Sequence, residues 1–126
     1  MKLTVEQLYA LVEGLNSLVE KELPISAAFS IQKNISTVTN ELEASDKLRD
    51  KIIQKYASEV KEDGSADIPQ ENVANFHKEH DELMKHEVEI ELSSIKYSQL
   101  GETITPQALG QLIPILKKDD EEGADV

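Results

Sequence analysis

The chain contains no cysteine and no tryptophan. The first absence removes disulfides, thiolate zinc sites and cysteine nucleophiles together, and it fits a reducing compartment. Only five residues are aromatic: Tyr9, Phe29, Tyr56, Phe76 and Tyr97. A core made instead of Leu, Ile, Val and Ala suits helices more than a β-sandwich. Glycine is also scarce, at five residues, so no P-loop or dinucleotide fingerprint can be drawn. No apolar run approaches the roughly 20 residues that span a bilayer. The opening LTVEQLYALVEGL carries acids inside its apolar pattern, unlike a signal peptide. The expectation is an intracellular protein without a membrane segment.

Bases are outnumbered. Thirteen Lys and Arg face 25 Asp and Glu, a formal charge of −12. The last eight residues, DDEEGADV, hold five acids and no base, which leaves −7 on residues 1–118. Nucleic-acid affinity comes mainly from phosphate neutralisation, so direct binding of DNA or RNA is not expected. Anionic membranes are disfavoured for the same reason. What the chain does have is 39% hydrophobic residues over 126 positions, the size of one domain. A chain of this length buries roughly two-thirds of its unfolded surface. A single helical domain is expected over 1–118, with a disordered acidic tail over 119–126.

Thr4 with Gln7 has the form of a capping box, and Leu3 and Leu8 occupy the hydrophobic-staple positions. Val5, Leu8, Val12, Leu15 and Val19 then alternate spacings of three and four, widened by Leu11 and Leu18, which predicts a helix over about 5–22. Gly14 either weakens this helix or lets another backbone approach closely. After Pro24 the stripe Ala28, Ile31, Ile35, Val38, Leu42 and Ser45 continues through Leu48, Ile52 and Tyr56 without Gly or Pro until Gly64. That predicts one helix of nearly forty residues, about 55 Å long, which needs a partner along its length or a kink, the kink expected at NISTVTN. KEDGSADIPQ reads as a turn. A third helix follows Pro69 with Val73, Phe76, His80 and Leu83 on one stripe. EVEIELSS then alternates with period two, placing Val88, Ile90 and Leu92 on one face of a strand. Its partner is expected in residues 95–100 or in another chain. Thr105 and Pro106 form an N-cap and N1 pair for a short last helix carrying Leu109, Leu112, Ile113 and Leu116, bent at Pro114. The fold class is therefore mainly α: a helical hairpin with one very long helix, a third helix, a small β-hairpin or strand, and a short C-terminal helix.

All three histidines fall in HKEHDELMKHE, residues 77–87. On a helix His77 and His80 are i,i+3 neighbours, which offers two ligands on one face. His86 lies about 180° from His77 and about 120° from His80 at the helical repeat, so one helix cannot bring all three to one ion. A metal site through His77 and His80 would need further ligands from elsewhere. The bland alternative places His80 on the core stripe and leaves His77 and His86 solvated; no metal or cofactor is expected. No spaced triad or nucleophile-elbow signature occurs, so no catalytic residue is assigned and the protein is not expected to be an enzyme.

The apolar stripes of the first two helices predict helix-on-helix packing of the coiled-coil kind. A second helix of about 55 Å outruns a first of about 27 Å. Its far end, around Leu48, Ile52 and Tyr56, must then be covered by the third helix, the hairpin or a second subunit, or stay open to a partner, and the alternating face of Val88, Ile90 and Leu92 adds a strand edge. These six are the expected interaction residues. The partner is a protein, either a second copy, giving a homo-oligomer, or a foreign chain.

The order MKLTVEQLYALVEGLNSLVEKELP, long helix, acidic spacer, EVEIEL and ITPQALGQLIPIL resembles a group of small acidic proteins encoded by phages and prophages of Gram-positive bacteria, often found among structural and lysis genes. The resemblance spans most of residues 1–116. It implies a helical fold, a phage origin and the cytoplasm of the bacterial host, and it transfers no catalytic or ligand residue. The expected function is a non-enzymatic protein–protein interaction module, a phage accessory or assembly protein. A second expectation is an acidic inhibitor of a host defence nuclease that imitates nucleic acid. A metal-binding role through His77 and His80 is the third.

Overall fold

Thr4 starts the first helix as its sequence demands. In the computed structural model, which describes residues 1–118, Thr4 Oγ1 accepts from the Gln7 N–H at 3.1 Å and Gln7 Oε1 accepts from the Thr4 N–H at 2.8 Å. The expected disordered tail, 119–126, lies outside the described residues. Helix α1 covers Val5–Asn16 and buries Val5, Leu8, Leu11 and Leu15. It is shorter than the predicted 5–22. After Asn16 the backbone tightens into i→i+3 bonds from Leu18 to Leu15 and from Val19 to Asn16, while the Ser17 hydroxyl donates to the Gly14 carbonyl. These bonds satisfy the last carbonyls of the helix and turn Leu18 into the core, leaving Val19 exposed.

Helix α2 covers Ile25–Tyr56, 32 residues or about 48 Å. It runs unbroken through NISTVTN. Its buried stripe is Ala27, Ile31, Asn34, Val38, Leu42 and Ser45. The stripe is thus rotated from the predicted one: Ala28 is exposed and Ile35 half-buried, and the polar Asn34 takes an inward position. The helix ends before the predicted Gly64 because a small hairpin captures the chain. Strands β2 (Glu59–Val60) and β3 (Ala66–Asp67) pair antiparallel. Their turn uses Gly64 at φ +90°, a conformation that suits only glycine. Asp63 accepts from the Ser65 N–H and hydroxyl at 3.0 and 2.7 Å, and these donors hold its carboxyl below the usual range.

Helix α3 covers Gln70–Lys85 and packs along the second half of α2. Strand β4 (Glu87–Glu89) follows it directly. Its partner is neither residues 95–100 nor a second chain but β1 (Lys2–Thr4), antiparallel, with Leu3 opposite Val88. The Val5 N–H donates to the His86 carbonyl at 2.9 Å, so the end of α3 is tied to the start of α1. Strand β5 (Ile95–Lys96) pairs in parallel with β6 (Leu116–Lys117). Leu116 was expected on the last helix. Pro114 lacks the N–H that an α-helix needs there, so α4 stops at Pro106–Leu112, a 3-10 turn follows over Ile113–Ile115, and the chain leaves extended. Ile113 consequently faces water and Ile115 enters the core. Thr105 caps α4 through Ala108 as expected.

The core lies where α1 meets α2 and α4 and where the β1/β4 pair closes over it. Leu8, Leu11, Leu15, Ile31, Val38, Ile95, Leu112 and Ile115 form its centre. Gly14 is the contact point for α4: a Cβ there would stand 2.9 Å from Gln111 Cβ. Helix α1 spans about 18 Å against about 48 Å of α2, so layered packing replaces the expected two-helix coiled coil.

Candidate functional site

Helix α3 brings His77 and His80 to one aromatic ring and leaves His86 at its C-terminal end. His77 is exposed and meets the Phe76 ring edge-on at 5.6 Å between centroids; His80 is half-buried and stacks on the same ring at 5.8 Å. His86, at the C-cap, is exposed. Among the described residues, no three His, Cys, Asp or Glu side chains are grouped to hold a metal ion.

The concave feature nearest them lies between the far half of α2 and the end of α3. Leu48 and Ile52, one turn apart, form one wall; Glu79, Glu82, Leu83 and His86 form the other. The groove encloses about 340 Å³. It lies past the end of the shared α1/α2 layer, where α3 is the main neighbour of α2 and α1 reaches only the near end, through Tyr9 to Asp46 and Arg49. Two helices side by side cover one stripe of each other and leave a furrow where their surfaces curve apart. Leu48 stays 50% exposed on this furrow.

One end of the groove is anchored. Lys55 Nζ donates to Glu79 Oε1 at 3.0 Å and lies 5.1 Å from the centre of the Tyr56 ring. The Tyr56 hydroxyl, with the larger influence, and the Lys55 ammonium hold the Glu79 carboxyl below the usual glutamate range. Glu79 raises Lys55 and Tyr56 in return. The second carboxylate oxygen of Glu79 is shielded from water and makes no hydrogen bond of good geometry among the described residues. Asn72 Nδ2 donates to the Tyr56 carbonyl at 3.1 Å, which ties the start of α3 to the end of α2.

The six residues expected to meet a partner therefore divide. Leu48 and Ile52 line the groove, and Tyr56, half-buried, borders Glu79 at its anchored end. The strand triplet turns the other way. Ile90 is only 5% exposed and belongs to the core, with Val88 and Leu92 half-buried against it. Pairing with β1 lays that face on the protein's own interior, so it presents no open edge of apolar side chains. Glu82 and His86 were not among the expected residues; their spacing from Leu83 on one helix is the signal that could have found them. Ile25 and Phe29 were also missed. They are 87% and 72% exposed, and they sit about 120° and 160° round the helix from Ile31.

Among the described residues, no helix is long and apolar enough to cross a membrane. Comparison of the chain with protein-family models, with curated proteins and with solved structures gives no match.

Proposed function

We propose that this chain is a non-enzymatic protein–protein interaction module that receives its partner in the α2/α3 groove. Leu48 carries the reading. A large apolar side chain stays half in water at a concave site whose walls are otherwise Ile52, Leu83, two carboxylates and a histidine. Apolar surface inside a polar rim is the form of a partner site. The order of elements that resembles small phage and prophage proteins supplies the context, an accessory or assembly factor in a bacterial cytoplasm; that part rests on the resemblance alone.

The nucleic-acid mimic needs a continuous band of acids. Ion pairs such as Lys47–Glu43, Lys55–Glu79 and Lys61–Asp67 instead interleave the two signs, which supports the interaction module. The metal-binding reading through His77 and His80 predicts a zinc-dependent rise of many degrees in melting temperature, lost in His77→Ala.

The test is cross-linking in lysate of a Gram-positive host, with wild type beside Leu48→Asp. At a half-exposed position this substitution leaves the fold intact, which circular dichroism checks. At least one wild-type adduct should disappear. Identical adduct patterns would overturn the groove as the binding site. Sedimentation at micromolar concentration and two salt levels separates a second copy from a foreign chain.

A further inference from the structure

The groove has a chemistry as well as a shape, and it selects among occupants. Its apolar wall comes from Leu48 and Ile52, separated by one helical turn, with Leu83 facing them from α3. Its charged wall comes from Glu79 and Glu82 on α3. Lys55 neutralises Glu79 through one oxygen and the other is shielded from water, so the carboxylate open to a partner is the exposed Glu82. The two walls run along neighbouring helices, so the furrow is elongated. From Glu79 to His86 it follows α3 for seven residues, about 10 Å. Resting on the reading that this groove receives a partner, we infer that its occupant is an amphipathic helix of a foreign protein, with apolar residues at i, i+3 or i+4 and i+7 flanked by Lys or Arg.

Three observations carry this. First, a furrow between two helices with apolar residues one turn apart accepts the ridge of a third helix, and such grooves bind amphipathic helices through i, i+3/i+4 and i+7 anchors. Second, the open carboxylate, Glu82, lies on the α3 wall, so a cation beside the apolar stripe of the ligand meets Glu82 while its leucines meet Leu48 and Ile52. Third, the whole chain carries −12, a field that speeds encounter with a basic partner and repels an acidic one. The third point also argues against occupants from within. Residues 119–126 hold five acids and no base, so they would bring like charge to Glu82. A second copy would bring another −12, and its most exposed apolar pair, Ile25 and Phe29, is flanked by Glu22 as well as Lys33.

The test is selection from a displayed library of small helical-scaffold proteins, one helix face of which is randomised. The targets are the wild-type chain, Leu48→Asp and Glu82→Lys, with retained fold checked by circular dichroism. Helices enriched on wild type should carry Leu, Ile or Phe at the stated spacing and more Lys and Arg than Asp and Glu beside them. Leu48→Asp should reduce their binding at least tenfold, and Glu82→Lys should remove or reverse the preference for basic flanks. Enrichment of acidic or charge-blind helices, enrichment unchanged by Leu48→Asp, or no enrichment would each overturn the inference. So would a concentration-dependent dimer that Leu48→Asp dissolves, because the groove would then belong to a second copy. A cross-linked host protein lost in Leu48→Asp while the selected helices prove acidic would leave the proposed function standing and remove only the ligand chemistry.

Discussion

The two halves of α2 share one unbroken backbone and live in different surroundings. In the first half Ala27, Ile31, Asn34, Val38 and Leu42 are enclosed, because α1, α4 and the β1/β4 pair build layers around one centre. In the second half and the elements that follow it every residue from 46 to 86, including all of α3, is half-buried or exposed. Enclosing a side chain takes neighbours on several sides, and a helix with one partner has them on one. The first region is a packed head; the second is a two-helix arm closed by a two-stranded hairpin. Burial supplies roughly 25 cal/mol per Å² of apolar surface, so the head holds most of the stability and the arm is a segment of low local stability. That is where a binding surface costs least.

The comparison breaks most readily through matched truncations. Leu11→Ala in the head should destabilise by roughly 2–5 kcal/mol, the loss of transfer energy plus a cavity that enclosed neighbours cannot fill. Leu83→Ala in the arm should cost about 1 kcal/mol or less, since water already reaches the site. Urea unfolding measures both. Equal losses would mean that the arm is packed like the head.

The Asn34 side chain is the polar fastening of the head. Its Nδ2 donates to the Ser93 carbonyl at 2.9 Å and its Oδ1 accepts from the Ser93 N–H at 2.8 Å, so the side chain imitates a strand and fixes the segment between β4 and β5 against α2. Asn34→Ala strands both backbone groups of Ser93 and should cost roughly 1–3 kcal/mol. A loss below 0.5 kcal/mol, on the order of measurement scatter for surface sites, would mean that water replaces the amide and that the pair is no fastening.

Two glycines sharpen the picture of how α4 joins the head. At Gly14 a Cβ would meet Gln111 Cβ at 2.9 Å and Leu112 Cγ at 3.2 Å, and neither is the loose end of a side chain. Gly14→Ala should therefore destabilise by about 1 kcal/mol, the overpacking outweighing the gain in helix propensity. At Gly110 nothing lies within 4 Å. Gly110→Ala should stabilise by roughly 0.5–1 kcal/mol through propensity alone. The same sign at both positions in thermal unfolding would contradict the close approach of α1 and α4.

Local signals carried the helices and their starts. The Thr4 box and the Thr105–Pro106 cap each act over a few residues and appear as read; the stripe of α2 gives its helix but lies rotated from the reading. Partners across the chain were less legible. Nothing near Glu87 says that it pairs with Thr4 rather than with residues 95–100, because a period-two face fixes an orientation and not a neighbour. The stripe of α2 was read as Ile35 where Asn34 is enclosed; the amide is buried only because Ser93, 59 residues away, completes it. Leu42 lies within the head and Ile35 on its edge, so truncating the first should cost more than truncating the second. Of the groove, the α2 wall was legible as a stripe that outran its first partner. The α3 wall is not, since the stripe of Val73, Phe76, His80 and Leu83 points to a core that the arm does not form.

The smallest effect expected lies in the arm. The Tyr56 hydroxyl and the Lys55 ammonium stabilise ionised Glu79, so its folded pKa lies below the unfolded one. The stability this adds is complete above the ordinary glutamate value and fades as pH falls through the folded value. All three groups are surface groups, so the gain is slight and screened by salt. Carbon-detected NMR titration of the side-chain carboxyls should find Glu79 titrating below the ordinary glutamate value. Tyr56→Phe should return it further towards the ordinary value than Lys55→Met, because the hydroxyl is the larger influence. The stabilities of wild type and Glu79→Gln should differ at neutral pH and converge in acid. If Glu79 titrates with the other glutamates, or Lys55→Met moves it more than Tyr56→Phe, the closed end of the groove is not held as described, and the arm is still looser relative to the head than its packing implies.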